Sequence, residues 1–557
     1  MKVVLAALNA KYIHSNLAVH NLKAMASAWK EHIEIAEFTI NQYTDFILQN
    51  LYRKKPDILA FSCYIWNFEY IRELVIETAK VLPQTKIWLG GPEVSFDAAD
   101  IMNNYPQLEG IMVGEGEQSF SYLMDCYLGG YITLSEIPGI VYRDDQRVVR
   151  SNQPIAPIDM DQIPFAYSDM DLFRNKIIYY ETSRGCPFSC SYCLSSADKK
   201  LRFRSFEIVR QELQFFLDHE VPQVKFVDRT FNCNHRHAVQ IWEYLKEHDN
   251  GITNFHFEIS ADLLNAEEMK LLSSMRPGLV QLEIGVQSTN EMVVQEIDRT
   301  MNFAKLREIV EEINSWRNIH QHLDLIAGLP YEDLESFKKS FNDVYLLYPE
   351  QLQLGFLKVL KGSKMHQLAE EYGIIYKQKP QYEVLFTKWL NYDQVLQLKG
   401  IEEMVEVYYN SGQFTHTLRY LEPVFSSPFE MFEVMRAYYE ANDLFGISHT
   451  RIARYEILLE IIQRHDQERK DFFREVLLFD LYLRENLKKR PSFAPLSDEF
   501  RSEIWKYQRE QKGRRLHIEV FHFDLKNSGE QGVFPVLFDY ENRDSLTYEA
   551  NTEILTF

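Results

Sequence analysis

Cys186, Cys190 and Cys193, in the stretch ETSRGCPFSCSYC, put three thiols into one short loop at C-x3-C-x2-C spacing. Thiolate sulfur suits soft metal ions and iron–sulfur clusters, and the spacing lacks the paired fourth ligand of a zinc ribbon. A four-iron four-sulfur cluster has four irons to ligate, so three cysteines leave one iron open to a small molecule. That open iron is the chemistry the spacing predicts. Two other readings of these residues are a three-cysteine zinc site completed by a distant histidine, and plain buried thiols. Cys63, Cys126 and Cys233 are scattered and read as small buried hydrophobes.

With Tyr192 just before the third cysteine and the apolar run IIYYE ahead of the loop, the stretch resembles the radical S-adenosylmethionine (SAM) enzymes. The resemblance implies that the open iron chelates the amino and carboxylate groups of SAM, and that one electron from the cluster then breaks a carbon–sulfur bond to give a deoxyadenosyl radical.

A cluster loop needs a scaffold, and from Ile177 the chain supplies one. Six apolar strand candidates, IIYYE, QVKFV, TNFHFEI, LVQLEIGV, HLDLIAG and LQLGFL, alternate with stretches of helical periodicity. This pattern fits a partial (β/α)6 barrel with its site at the carboxyl ends of the strands. Asp228, Glu258, Asp262, Glu283, Gln287, Asp324 and Lys358 all fall on or just past a strand. An acid inside a barrel needs a partner, so several of them should face cofactor, substrate or one another; a structural ion pair or hydrogen bond is the alternative for each. KFVDRTF, FEISADLL, LEIGVQS and DLIAGLP resemble radical SAM barrel motifs, which implies contacts to SAM from Tyr192, Asp228, Glu258, Glu283 and Gln287.

Upstream, residues 1 to about 130 alternate short apolar runs with amphipathic stretches, the pattern of a five-stranded, Rossmann-like open α/β sheet. Ligands bind such sheets at the carboxyl ends of strands, here Asn9 to Asn16, Ser62 to Asn67, Gly90 to Ser95 and Gly114 to Glu117. Glycines at Gly90, Gly91, Gly114 and Gly116 allow close backbone approach to a flat ligand. Neither G-x-G-x-x-G after the first strand nor G-x-x-x-x-G-K-[ST] occurs, which argues against dinucleotide or ATP binding.

LGGPEVS and VGEGE, placed before a radical SAM loop, resemble the N-terminal cobalamin-binding domain of the cobalamin-dependent radical SAM family. The resemblance covers residues 1 to about 375 and implies a flavodoxin-like fold for residues 1–150, with cobalamin near Gly90, Gly91, Glu93, Gly114 and Gly116. D-x-H-x-x-G, whose histidine ligates cobalt in other cobalamin proteins, is absent, as in the family resembled. His14 is the one candidate substitute, with a hydrogen-bonding surface histidine as its alternative. Tyr64 and Trp66 sit where family members place side chains under the corrin; core aromatics are the other reading.

GIVYRDDQRVVRS (139–151) reads as a β-hairpin that closes the first domain. Pro154, Pro157 and Pro164 then keep residues 151–176 extended. Residues 177–375 form the barrel, and 376–557 a mainly helical region ending in a few strands around LHIEVFHFDL and GVFPVLFDY. Lys512, Arg514 and Arg515 make a short solvated basic spot.

The net charge of -21 over 557 residues disfavours an extended nucleic-acid surface. No apolar run approaches the roughly 20 residues of a membrane span. The opening MKVVLAALNA, followed by Lys11, reads as a strand rather than a signal peptide. A cluster with an open iron needs a reducing interior, so the expected location is cytoplasmic.

The family resembled implies three cofactors: a four-iron four-sulfur cluster, SAM and cobalamin. It implies an electron donor such as flavodoxin or ferredoxin, and a substrate, small molecule or peptide, between barrel and corrinoid. The leading expectation is a radical methyltransferase on an unactivated carbon, in which one SAM methylates cob(I)alamin and a second starts the radical step. Alternatives are a radical rearrangement, a methylthiotransferase-like modification of RNA or protein, and a non-enzymatic corrinoid carrier or sensor. No residue is assigned as catalytic.

Overall fold

The computed structural model describes residues 1–145, 147–151, 153, 156–495, 499–511 and 513–557. Pro154 of the connector and Lys512 of the basic spot lie outside the described residues. The chain parts into two compact units, one of Met1–Leu282, Gln295–Met301 and Phe356–Lys388, the other of Glu283–Val294, Asn302–Gly355 and Trp389–Phe557.

The first unit opens with strands β1 (Val3–Asn9), β2 (Ile33–Thr39), β3 (Ile58–Ser62), β4 (Lys86–Gly90) and β5 (Leu108–Met112). Their parallel order is β2-β1-β3-β4-β5, the flavodoxin-like order. Every residue of β1 is buried because both faces of the sheet are covered. Val4, Ala6 and Leu8 pack with Ile47, Leu51, Ile71 and Leu74 of helices Thr44–Lys54 and Phe68–Val81. Val3, Leu5 and Ala7 pack with Val19, Phe120 and Leu123 of helices Leu17–Met25 and Gly116–Met124. Burying each such Val or Leu contributes about 1.5–3 kcal/mol.

The hairpin β6 (Ile140–Asp144) and β7 (Arg147–Arg150) does more than close the domain. It pairs antiparallel onto β5 and extends the expected five strands to a seven-stranded sheet. The connector packs through Ile158, Met160 and Ile163, which form a small core with Met25.

The cluster loop follows β8 (Ile178–Tyr180), and a short antiparallel pair, β9 (Ser183–Arg184) with β10 (Arg202–Phe203), closes it. β11 (Gln223–Phe226) lies between β8 and β12 (Asn254–Ile259), all three parallel. β13 (Val280–Gln287) starts in the first unit and continues from Glu283 in the second, where β14 (His320–Ala327) and most of β15 (Gln351–Phe356) follow. These are the six strands expected for the barrel. A small pair, β16 (Ile375–Tyr376) and β17 (Val384–Phe386), belongs to the first unit.

The rest of the second unit is mainly helical, as the periodicity predicts. Its helix Lys470–Arg484 buries Phe473, Val476, Leu477 and Leu481. An antiparallel sheet of β18 (Leu516–Phe523), β19 (Gln531–Arg543) and β20 (Ala550–Ile554) packs against it through Phe521 and Phe538, which contact Phe479. Among the described residues no helix is long and apolar enough to cross a membrane.

Candidate functional site

Cys186, Cys190 and Cys193 are free thiols, the first two buried and the third half-buried. The backbone sets their loop. Cys186 N–H donates to Asp198 O at 3.0 Å, Cys193 N–H to Cys190 O at 3.2 Å, and Ser191 N–H to Ile297 O at 2.9 Å. Gly185 precedes the first cysteine at φ +91°, and a Cβ there would lie 2.6 Å from Lys200 O, so only glycine fits.

Asp228, just past β11, anchors the entry to this loop. It is fully buried, and its carboxylate accepts from Thr182 N–H at 3.1 Å, Thr182 Oγ1 at 2.7 Å and Ser183 Oγ at 2.5 Å. Burial pushes its pKa up to about 6, although these hydrogen bonds oppose the rise. Arg299 is a residue the sequence reading missed. Its Nη1 donates to Tyr192 Oη at 3.2 Å and approaches Cys190 Sγ at 3.9 Å. Burial raises the Cys190 thiol pKa, and Arg299 opposes that. Cys233 lies half-buried; burial, with Cys186 adding to it, pushes its thiol up to about 11.

At the carboxyl ends of the first sheet, Tyr64 and Trp66 stack with centroids 4.3 Å apart and planes 8° from parallel. The buried Asn67 fixes their turn, donating to Leu8 O at 3.0 Å and Ser62 O at 2.9 Å and accepting from Tyr64 N–H at 2.8 Å. Trp66 Nε1 donates to Leu8 O at 3.2 Å. His14 is half-buried, with Nδ1 2.7 Å from the Tyr179 hydroxyl; burial, then Lys11 and Lys225, lower its pKa.

At Gly91 two loops approach closely. Gly91, at φ +114°, would place a Cβ 2.4 Å from Cys63 O. Ser95 Oγ donates to Gly91 O at 2.9 Å and accepts from Gly114 N–H at 3.1 Å, tying the loops after β4 and β5 together. Gly114 has φ +79°, and Gly116 begins the helix Gly116–Met124. Glu93 is buried, accepts from the Tyr382 hydroxyl and lies 3.7 Å from Lys361 Nζ; its pKa is raised, chiefly by burial. Arg184 links the cluster loop to the first turn of the helix Gly116–Met124, with Nη2 2.5 Å from Glu117 and 2.9 Å from Glu181.

Glu258 is half-buried on β12, and Asp262 accepts from Ser260 Oγ at 2.7 Å. Lys358 forms a backbone bridge with Glu383. In the second unit, Glu283, His322 and Asp324 bring ligand-type atoms within 4.8 Å of one another, and His322 Nε2 lies 3.0 Å from Asp324 Oδ1. The sequence reading named the two acids and missed the histidine. Gln287 closes β13 at φ +74°, 8% exposed, and among the described residues its Oε1 has no hydrogen-bond partner. A non-glycine residue held in that region with an orphaned buried acceptor is strained, and strain of this kind gathers at ligand sites.

These residues fit the implied cofactors. Three unpaired sulfurs beside a guanidinium form a donor set for thiolate-ligated iron, and the orphaned Gln287 acceptor suits a ligand donor. The flat Tyr64–Trp66 pair suits a corrin face.

The family model for a B12 binding domain matches residues 3–123, and the radical SAM superfamily model matches residues 180–344. A third, described as a protein of unknown function (DUF4080), matches residues 370–538. The chain is 26% identical over 344 residues to the cobalamin-dependent radical SAM methyltransferase TokK of Streptomyces tokunonensis, covering 58% of this chain and 50% of TokK. It shares the fold of the cobalamin-dependent SAM radical enzyme OxsB, solved with aqua-cobalamin (TM-score 0.61, 16% identity, 91% of this chain and 84% of that one). The methyltransferase TsrM of Kitasatospora setae, solved with cobalamin and a [4Fe-4S] cluster, aligns at TM-score 0.54 and 15% identity over 68% of this chain and 76% of that one. The chain spans about half the length of the first curated relatives it matches. The chain thus carries a match to the B12 binding domain followed by a match to the radical SAM superfamily, on a fold shared with OxsB.

Proposed function

We propose that this chain is a radical SAM methyltransferase that uses cobalamin to methylate an unactivated carbon. The observation that carries the reading is the loop of three free cysteines in one unit with a flavodoxin-order sheet that carries the stacked Tyr64–Trp66 pair at its strand ends. The bound cluster, SAM and cobalamin would supply the radical and the methyl group, as in other cofactor enzymes. Cys186, Cys190 and Cys193 would ligate three irons. Asp228 orients the segment leading into them by holding Thr182 and Ser183. Gln287 would accept a hydrogen bond from SAM through Oε1, with Tyr192, Glu258 and Glu283 as further SAM contacts. Tyr64 and Trp66 would keep water from the lower corrin face, above the loops that carry Gly90, Gly91, Glu93, Gly114 and Gly116.

We keep the division into 1–150, a linker 151–176, 177–375 and 376–557 as part of this proposal. The substrate is a small molecule or peptide, and the electron donor a flavodoxin or ferredoxin. The reducing conditions that an open iron needs favour a cytoplasmic enzyme. The test is anaerobic preparation with iron, sulfide and cobalamin, followed by an absorption spectrum and a SAM-cleavage assay. Corrinoid bound without cluster-dependent SAM cleavage would return the chain to the carrier reading.

A further inference from the structure

We infer that Arg299 is a fixed positive charge that raises the reduction potential of the cluster through its contact with Cys190. The inference rests on the cluster reading above and concerns a residue outside every motif in the sequence. Arg299 Nη1 lies 3.9 Å from Cys190 Sγ and donates to Tyr192 Oη at 3.2 Å, while its Nε is shielded from solvent. The placement is built into the backbone. Ser191, between those two residues, donates its N–H to Ile297 O at 2.9 Å, two positions before the arginine, and accepts from Met365 N–H at 2.7 Å. The neighbouring acid, Asp298, is taken up by Lys364 Nζ at 2.6 Å.

A guanidinium stays protonated at any working pH, so this charge is constant. A cluster held by three thiolates is anionic and gains one further negative charge when a low-potential one-electron donor reduces it. The electron goes onto the cluster, with no bond made or broken and no proton moved. A cation at a ligand sulfur stabilises the more negative state, and hydrogen bonds to cluster sulfurs act in the same direction. At an effective dielectric constant of about 20, a unit charge a few ångströms away changes the reduced-to-oxidised ratio by about tenfold or more.

The test uses the full chain reconstituted anaerobically with iron and sulfide, without SAM, and poised with dithionite and mediators; paramagnetic resonance reads the reduced fraction. At the wild-type midpoint, Arg299→Gln should lower the reduced-to-oxidised ratio about tenfold, equivalent to about 59 mV for a one-electron couple. Arg299→Lys keeps the charge and should stay within about threefold of wild type, as should Tyr192→Phe, which leaves the guanidinium beside Cys190. A ratio within about twofold of wild type in a fully loaded Arg299→Gln overturns the inference. So does weaker SAM binding with an unchanged ratio, which would assign the arginine to the ligand instead. If Arg299→Gln holds no cluster, Arg299→Met, which keeps the length without the charge, decides, and a ratio within about twofold of wild type there also overturns it. A wild-type chain that takes up no cluster fails differently, by removing the cofactor reading itself.

Discussion

Arg184 Nη2 lies 2.5 Å from Glu117 Oε1, so a residue two positions before the first cluster cysteine grips the first turn of the helix Gly116–Met124 that follows β5. Glu117 is 6% exposed and Glu181 holds the same guanidinium at 2.9 Å, which makes this an ion-pair cluster largely withdrawn from water. Removing one partner of such a cluster is worse than removing both, because a buried charge is then left alone. Arg184→Ala should destabilise the fold by about 3–5 kcal/mol, and adding Glu117→Gln should recover part of the loss. Denaturant midpoints of the two variants measure this. Additive losses would show that the pair is not coupled.

Cys186, Cys190 and Cys193 together should account for all the cluster iron. The triple alanine variant should lose the absorbance near about 400 nm and all deoxyadenosine formation, whereas alanine at Cys63, Cys126 and Cys233 should leave iron content in place. Iron bound equally well by the triple loop variant would sink the assignment. It would point to ligands elsewhere.

The lower face of the cobalt should carry no protein imidazole, since the chain has no D-x-H-x-x-G string. Paramagnetic resonance of the cob(II) form should lack nitrogen splitting, and His14→Ala should leave the spectrum unchanged. Trp66→Ala removes one member of the ring stack and should open a cavity that admits water, slowing methyl transfer while corrinoid binding stays largely intact. Unchanged methylation kinetics would return Trp66 to a packing role.

Glu332 should set a pH dependence of stability in the second unit. It is fully buried, accepts from Ser288 Oγ at 2.6 Å and Ser340 Oγ at 3.3 Å, and burial pushes its pKa up to about 8 against those hydrogen bonds. Below the ordinary carboxyl value of 4.5 the group is neutral folded or unfolded, and its contribution is complete. As pH rises from there towards 8, the unfolded chain gives up a proton that the folded chain keeps, so stability falls by up to about 1.4 kcal/mol per pH unit and then levels off. Glu332→Gln removes that slope and should be the more stable protein at pH 8, with little difference at pH 4. Parallel stability profiles for the two proteins would contradict the assignment.

The cysteine loop and the alternation of strands and helices were legible in the sequence because both are local. Three ligands within eight residues need only one turn of chain to meet, and a run such as VVLAALN, buried on both faces, reads as a parallel strand wherever it lies. The family resemblance rested on the same local strings, and their order along the chain carried the order of the domains. Tertiary structure alone decided who stands beside them. Arg299 meets a cysteine 109 positions away, Asp228 holds Thr182 from 46 positions on, and Tyr382 reaches Glu93 across 289. It also showed that Gly91 is needed for the Cys63 backbone, whatever a ligand requires, and that the hairpin after β5 continues the sheet. Periodicity reports which face of an element is apolar, but the partner of a buried charge is chosen by how distant elements pack, and no spacing along the chain records that choice.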